Sequence, residues 1–450
     1  MASKNLGDIR TPGQILRFAV PTIIVMVSIS TYSIVDGALI SNMIGTDALA
    51  GLNIIMPVCG LLSAFGFMFS TGGSAYVATK MGEGENEKAN RAFSGIVLTA
   101  VAVSAVTAAA ILVYASPLVD LMGADDTIRG YALDYMNAYM LFAPLLIIQF
   151  LATQFLIVAG RPGLSLAGSL GGGIANVILD IVLMGPLDMG MRGAAVASGI
   201  GSAVPFAVGA AYFVFGKNSP VRFVRPSFER RMLAKICSNG ASEMVTELSG
   251  SVTTLLFNLA MMKYFGPDGV SAITILMYVQ FLAIAVTMGY SMGVAPVMSY
   301  CRGAGDKKGM KGLFRISLTF IGTFSVAVFI LLELFAGSLI GLFAGSSEHV
   351  MELAVSGAVI YSFAFLLMEF NGYTSSLFTS LSNGLVSAVI SFIRGLCLLA
   401  PMIVILPMLM GGDGIWYAVP VTEAVTAIVS AAFIIRLGPR YGFMSRGMPS

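Results

Sequence analysis

The sequence predicts an all-α integral membrane protein: twelve transmembrane helices in two pseudo-symmetric six-helix lobes, a 6+6 parallel repeat. Three observations carry this. Of the 450 residues, 57% are hydrophobic and only 11% charged, with a mean hydropathy of +0.89, whereas soluble domains run near 25% charged. The chain consists of apolar runs, each long enough to cross about 30 Å of hydrocarbon as helix, broken by short charged or Gly/Pro-rich links. Finally, the pattern of six runs recurs at one fixed interval.

The runs place the spans near 14–42, 48–80, 92–116, 130–159, 162–185, 192–216, 232–264, 269–301, 313–343, 350–381, 383–409 and 413–437. NIIMPVCGLL from Asn53 aligns with TILMYVQFLA from Thr274, a shift of 221 residues. The same shift pairs Gly72 with Gly293, Gly82 with Gly303, Gly84 with Gly305, Pro186 with Pro407 and Gly193 with Gly414. Six spans per copy is an even number, so the copies share one orientation about an axis along the membrane normal. The division expected is an N-terminal lobe 1–216, a linker 217–235 and a C-terminal lobe 236–450. The basic, Pro-containing linker reads as a cytoplasmic tether rather than a rigid joint.

Charge sets the orientation. All of the 25 Lys and Arg except Arg129, Arg192, Lys263 and Arg394 fall in the segments on the side of the termini. By the positive-inside rule both termini are then cytoplasmic. The four cysteines, Cys59, Cys237, Cys301 and Cys397, lie in or at the inner ends of spans, so no disulfide framework is expected. Met1–Thr11 is polar and does not read as a cleavable signal. Gly82-Glu-Gly84 is too short for a phosphate loop, His349 lies in an outer loop, and neither a soluble catalytic domain nor a nucleic-acid partner is indicated.

Intramembrane charges locate the candidate site. A carboxylate at mid-membrane costs roughly 2.5–3.5 kcal/mol on insertion scales, so such residues usually face a polar cavity and handle a proton, an ion or a cationic substrate. Asp180 sits in GGGIANVILDIVLM with Asn176 one turn before it on the same helical face. Asp36, in TYSIVDGALIS, lies at a similar depth, roughly 9 Å inside the outer boundary at 1.5 Å per residue. Two carboxylates that close cannot both stay ionised cheaply: one takes a proton, or a cation sits between them. Tyr32 and Ser198 complete a set of hydroxyl, amide and carboxylate oxygens that suits either Na⁺ or a held proton. The bland alternative is that Asp180 only hydrogen-bonds a neighbouring helix.

The second half is charged elsewhere, at Glu243, Glu247, Glu333, Glu369, Arg394 and Glu423. Glu247 is near mid-depth and expected to face a central cavity, and Arg394 with Glu423 is read as a structural ion pair. Phe257, Met261, Met288 and Met292 are candidate lining for a deformable surface that accepts apolar cations. Pro21 is the candidate hinge, one of several prolines inside apolar runs that remove a backbone bond.

Ala19-Val-Pro21, Tyr32-Ser-Ile-Val-Asp36, Met81-Gly-Glu-Gly84, Asn176 with Asp180, and Gly193-Ala-Ala-Val-Ala-Ser198 together resemble the multidrug and toxic compound extrusion (MATE) family over nearly the whole chain. The resemblance implies a V-shaped pair of lobes around a central cavity. It implies a multi-pass protein of a bacterial or archaeal plasma (inner) membrane that expels cationic or amphipathic drugs across the bilayer in exchange for H⁺ or Na⁺, with no other cofactor; a monomer is expected. Asp36, Asn176 and Asp180 would form the first-lobe cation site, with Tyr32 and Ser198 beside it. Glu247 would stand for the second-lobe acid of another branch, which pairs it with a tenth-span acid such as Glu369. The rival of the same fold is a flippase for lipid-linked sugars, which needs a basic cavity; only Arg394 is available inside the membrane. A metal-dependent lipid-modifying enzyme would need Asp36 and Asp180 to hold a catalytic metal.

Overall fold

The computed structural model describes residues 6–216, 219–341 and 348–444. Lys4, Lys217 and Arg446, counted above among the inner charges, lie outside them. Helices account for almost all of the described chain. They are α1 (Pro12–Met43), α2 (Thr46–Gly82), α3 (Asn86–Val113), α4 (Ala115–Leu121), α5 (Asp126–Leu141), α6 (Ala143–Val158), α7 (Pro162–Met184), α8 (Gly190–Phe215), α9 (Arg230–Gly303), α10 (Lys307–Gly341), α11 (Glu348–Ser380), α12 (Gly384–Phe392), α13 (Ala400–Met410) and α14 (Gly414–Tyr441). A stretch of π-helix, Ile393–Leu399, joins α12 to α13.

Among the described residues, ten helical runs are long and apolar enough to cross a membrane. The fourth predicted span is a broken one, α5 and α6 meeting at 58°. The 74 residues of α9 would extend about 110 Å if straight, yet both ends pack against the same end of α2. Lys235 lies over the Tyr76 ring, and Gly303 abuts Thr79 and Glu83. The run therefore doubles back, at Gly266 (φ 65°, ψ −156°). Counting the bent pair as one span and α9 as two gives the twelve expected.

The repeat is visible in the backbone. Gly45 and Gly266, Gly84 and Gly305, and Gly190 and Gly411 all adopt positive φ, and each pair is separated by the 221-residue shift. Gly84 and Gly305 end α2 and α9 with the same pair of bonds: Gly84 N–H to Met81 O and Glu85 N–H to Lys80 O, against Gly305 N–H to Arg302 O and Asp306 N–H to Cys301 O. This is a glycine-dependent helix stop, used twice.

The lobes, α1–α8 and α9–α14, meet through the same glycines. A Cβ on Gly82 would strike the Tyr300 backbone and one on Gly303 the Thr79 backbone; Gly72 faces Ile236 and Gly240, while Gly293 faces Ala19 and Thr22. Under the shift the Gly82–Tyr300 contact maps onto Gly303–Thr79, and Gly72–Gly240 onto Gly293–Ala19, as two-fold symmetry requires. Small residues permit this backbone approach, which supplies packing where lipid gives no hydrophobic drive. Thr22 Oγ1 donates to Gly289 O at 2.7 Å, and Arg10 pairs with Asp306 at 2.8 Å. All these contacts gather in the half of the molecule nearest the chain ends, the terminal face.

The linker differs from a tether. Ser227 N–H donates to Arg91 O, Arg222 N–H to Asn90 Oδ1 and Val224 N–H to Ser94 Oγ, while the Phe223 ring packs on Phe93. Residues 219–228 thus form a strap fastened to the start of α3, and α9 is already helical at Arg230. Inside the second lobe, Ser242, Thr379, Ser387, Ser375, Ser391 and Thr246 join hydroxyl to hydroxyl at 2.7–3.1 Å between α9, α11 and α12.

Candidate functional site

Glycine also builds the first-lobe site. Where α7 crosses α8, a Cβ on Gly172 would lie 2.7 Å from Gly201 O, and one on Gly201 2.9 Å from the Asn176 side chain; Gly173 lies under the Tyr32 ring. The bare crossing lets α1, α7 and α8 converge. Asn176 Nδ2 then reaches Ser198 Oγ at 3.4 Å, and Tyr32 lies beside Asp36.

Asp180 is fully buried and Asn176 nearly so, both on the inward face of α7. Asp36 faces Asp180 closely enough for the two carboxyl groups to interact directly. Asp36 Oδ1 and both Asp180 oxygens are buried with no hydrogen-bond donor among the described residues. An unsatisfied buried acceptor costs about 1–3 kcal/mol, and more when charged. Hard oxygens gathered in this way suit a shared proton or a small cation. The carboxylates, the Asn176 amide oxygen and the neighbouring hydroxyls are that kind of donor set.

Two further residues belong here that sequence reasoning did not find. Tyr135 and Tyr139 on α5 stack with ring centroids 5.4 Å apart. Tyr135 comes within hydrogen-bonding reach of Ser198, and both interact with Asp36. Their one-turn spacing is the signal that was available.

Beside this site a cavity of about 920 Å³ separates the lobes on the side away from the terminal face. Asp36, Tyr32, Asn176 and Ser198 line the first-lobe wall, and Glu247, Tyr278 and Phe281 the second. Asp180 stands behind Asp36, outside the lining. Among the described residues no Lys or Arg is part of the wall, and its carboxylic acids are Asp36 and Glu247.

Of the apolar candidates, Met292 lines the cavity. Phe257 and Met261 do not: they are 2% and 0% exposed in the second-lobe core beside Ile273 and Leu276. Met288 packs with Met26, Ala285 and Met292 in a small separate cluster. The α1 helix runs without interruption through Pro21, next to the Thr22 contact with α9.

Arg394 Nε meets Glu423 Oε1 at 2.7 Å, and Asn371 Nδ2 donates to Glu423 Oε2 at 2.8 Å. Arg394 lies in the π-helical stretch, whose widened turn carries it toward α14. Glu369 is buried and accepts from Thr287, and Glu333 accepts from Ser362 at 2.6 Å. Glu243 is half-buried and outside the cavity lining.

Comparison with known proteins gives one consistent answer. The MatE family model matches twice, over residues 21–182 and 244–406. The multidrug export protein MepA of Staphylococcus aureus is 22% identical over 433 residues, 94% of each chain, and MepA of Staphylococcus saprophyticus is 22% identical over 440. Among solved structures, a crystal structure of MATE in complex with MaL6 superposes with a TM-score of 0.91 at 21% identity, over 97% of this chain and 99% of that one. An outward-facing multidrug resistance MATE transporter of the MOP superfamily gives 0.89 at 21%, with the same coverage. At these identities the structural likeness speaks for the fold alone.

Proposed function

Because the chain belongs to the MatE family, we propose that it is a secondary active exporter of organic cations and amphipathic drugs, driven by inward movement of H⁺ or Na⁺. The observation that carries this reading is the cavity. A space of about 920 Å³ is of drug size, and its wall combines Tyr32, Tyr278 and Phe281 with Asp36 and Glu247 and no basic side chain. Aromatic faces and carboxylates attract a cation; they repel the pyrophosphate of a lipid-linked sugar. Arg394, the one basic group deep in the membrane region among the described residues, is engaged by Glu423.

The lobes take residues 1–216 and 236–450, with both termini cytoplasmic. The state seen here is then outward-open, sealed on the inside by the glycine contacts. Coupling resides at Asp36 and Asp180, with Asn176, Tyr32 and Ser198 as supporting oxygens. When the carboxylate pair is empty, two uncompensated acids face each other in a buried place. Taking up a proton or Na⁺ removes that repulsion and alters how α1 and α7 pack, which shifts the balance between conformations. Asp36 also lines the drug cavity, so its charge is available either to a cationic drug or to the coupling ion. That competition exchanges one for the other.

The test is uptake of a fluorescent organic cation into inside-out vesicles, with a Na⁺ gradient and a pH gradient imposed separately. Accumulation under one of them is expected. No accumulation under either, with the protein folded and inserted, overturns the reading.

A further inference from the structure

At the terminal face, the end of α9, the start of α10 and the end of α14 surround a second, smaller pocket of about 290 Å³. Its wall is Arg302, Gly305, Lys307, Met310, Arg440 and Tyr441: three cations contributed by three different helix ends. No carboxylate pairs with any of the three among the described residues. The two nearby acids are engaged elsewhere. Asp306 pairs with Arg10 and caps α10 through Gly309 N–H at 2.9 Å, and Glu83 is held by Lys80 at 2.6 Å.

Arg302 is fixed in place. One of its terminal nitrogens donates to Leu381 O, and its guanidinium lies over the Tyr441 ring, 5.7 Å from the centroid. Among the described residues its remaining N–H groups have no hydrogen-bond acceptor, and an anchored guanidinium is well suited to phosphate oxygens.

The repeat shows that the fold does not require this charge. Under the 221-residue shift, Arg302, Lys307 and Arg440 correspond to Met81, Asn86 and Ser219. The first lobe makes the same glycine helix stop, at Gly84, with no cation at any of the three places. Three like charges gathered around one space repel each other, a cost that an anion in the pocket offsets.

We propose that this pocket binds the phosphate of an anionic membrane lipid headgroup. The location selects a lipid over a soluble anion, because the pocket is made from the ends of membrane-spanning helices and therefore lies at headgroup level. Basic pockets between spanning helices on one membrane face are the usual cradle for such headgroups. Met310 and the Tyr441 ring add an apolar and an aromatic wall, the combination favoured at the membrane interface.

The experiment compares phosphatidylglycerol, phosphatidylcholine and inorganic phosphate as ligands of the purified full-length protein, read by native mass spectrometry and by the shift in thermal midpoint. Lys307→Gln with Arg440→Gln removes two cations that have no ion-pair partner among the described residues; Gln keeps the stem that Lys307 lays against Gly442, and Arg302 with its bond to Leu381 is left intact. Lys308→Gln with Arg436→Gln removes equal charge from the same helices outside the pocket. Phosphatidylglycerol should bind wild type and the second double variant alike, and the first double variant about thirtyfold more weakly, as expected for two basic contacts with an anionic headgroup. Lys307→Arg with Arg440→Lys should restore binding. Equal weakening in both Gln doubles, or none in the first, overturns the pocket. Full competition by inorganic phosphate at the lipid's own concentration overturns the lipid assignment, as does equal binding of phosphatidylcholine.

Discussion

Replacing Glu423 by Gln deletes one charge from a pair that the second lobe has buried. The carboxylate is 2% exposed and the Arg394 side chain 21%. Glu423 holds Arg394 with one oxygen and accepts from Asn371 with the other, at 2.7 and 2.8 Å. In Glu423→Gln the guanidinium keeps its charge and loses its counter-ion. Breaking a buried pair on one side costs about 3–5 kcal/mol; the partial exposure of Arg394 argues for the low end, about 3 kcal/mol. With an unfolding entropy of about 2.1 cal/mol/K per residue, a chain of 450 residues should lose roughly 3 °C in thermal midpoint. The second half of the test removes both charges. Arg394→Met with Glu423→Gln leaves no uncompensated ion, and such replacements are often neutral, so the midpoint should return to within about 1 °C of wild type. The assay is thermal unfolding of detergent-purified protein, followed by size-exclusion yield at each temperature. A double variant as unstable as the single one would show that the lost charge is not the cause. A single variant with the wild-type midpoint but no transport would move the pair from framework to transport machinery.

Three other outcomes follow from the geometry. Asp36→Asn and Asp180→Asn should each abolish gradient-driven export while leaving a monodisperse protein in the membrane, since an amide keeps the shape and removes the buried charge; Asn176→Ala should weaken ion dependence only partly, and wild-type efflux in both Asp variants would remove the coupling site. Joining positions 10 and 306 by a thiol crosslinker, after Arg10→Cys and Asp306→Cys in a background lacking the native cysteines, should stop transport reversibly, because their ion pair bridges the lobes where they must part; unchanged efflux in a fully crosslinked sample would refute rocking of the lobes. Single cysteines at Ser227 and Lys308 should resist an impermeant thiol reagent in intact cells while one at Asp125 is labelled, and the reverse pattern would invert the orientation.

The parts of this protein that were legible in its sequence are those with a large energetic penalty attached. A carboxylate amid apolar residues has few inexpensive explanations, so Asp36 and Asp180 stood out, and Asn176 followed from helical spacing. The pair Gly84 and Gly305 was legible for a similar reason: a helix stop tolerates few alternatives, so the 221-residue pairing persisted where the side chains had diverged, whereas Gly45 with Gly266 and Gly190 with Gly411 emerged only from the backbone. Phe257 and Met261 carried no such mark. In a chain this apolar, a methionine on a cavity wall and one in the core occupy the same kind of sequence, and only packing separates Met292 from Met261.

The linker shows the opposite failure. Its Pro and Arg content suggested a tether, but its order comes from acceptors on Asn90, Arg91 and Ser94, far away in the chain and polar enough to pass for ordinary helix-start residues. Tyr135 and Tyr139 fall between these cases. Tyrosine near a membrane boundary has a ready interfacial explanation, and only the packing of α5 on α2 and α8 brings both rings near Asp36 and Tyr135 near Ser198. What escapes single-sequence reasoning here is therefore specific: groups whose chemistry is cheap anywhere along a membrane helix acquire a role only through the neighbours that glycine crossings bring to them. The Gly172 and Gly201 crossing brings α1, α7 and α8 together. Filling it, for example by Gly201→Val, should separate Tyr32, Asn176 and Ser198 and leave both acids in place but uncoupled from export.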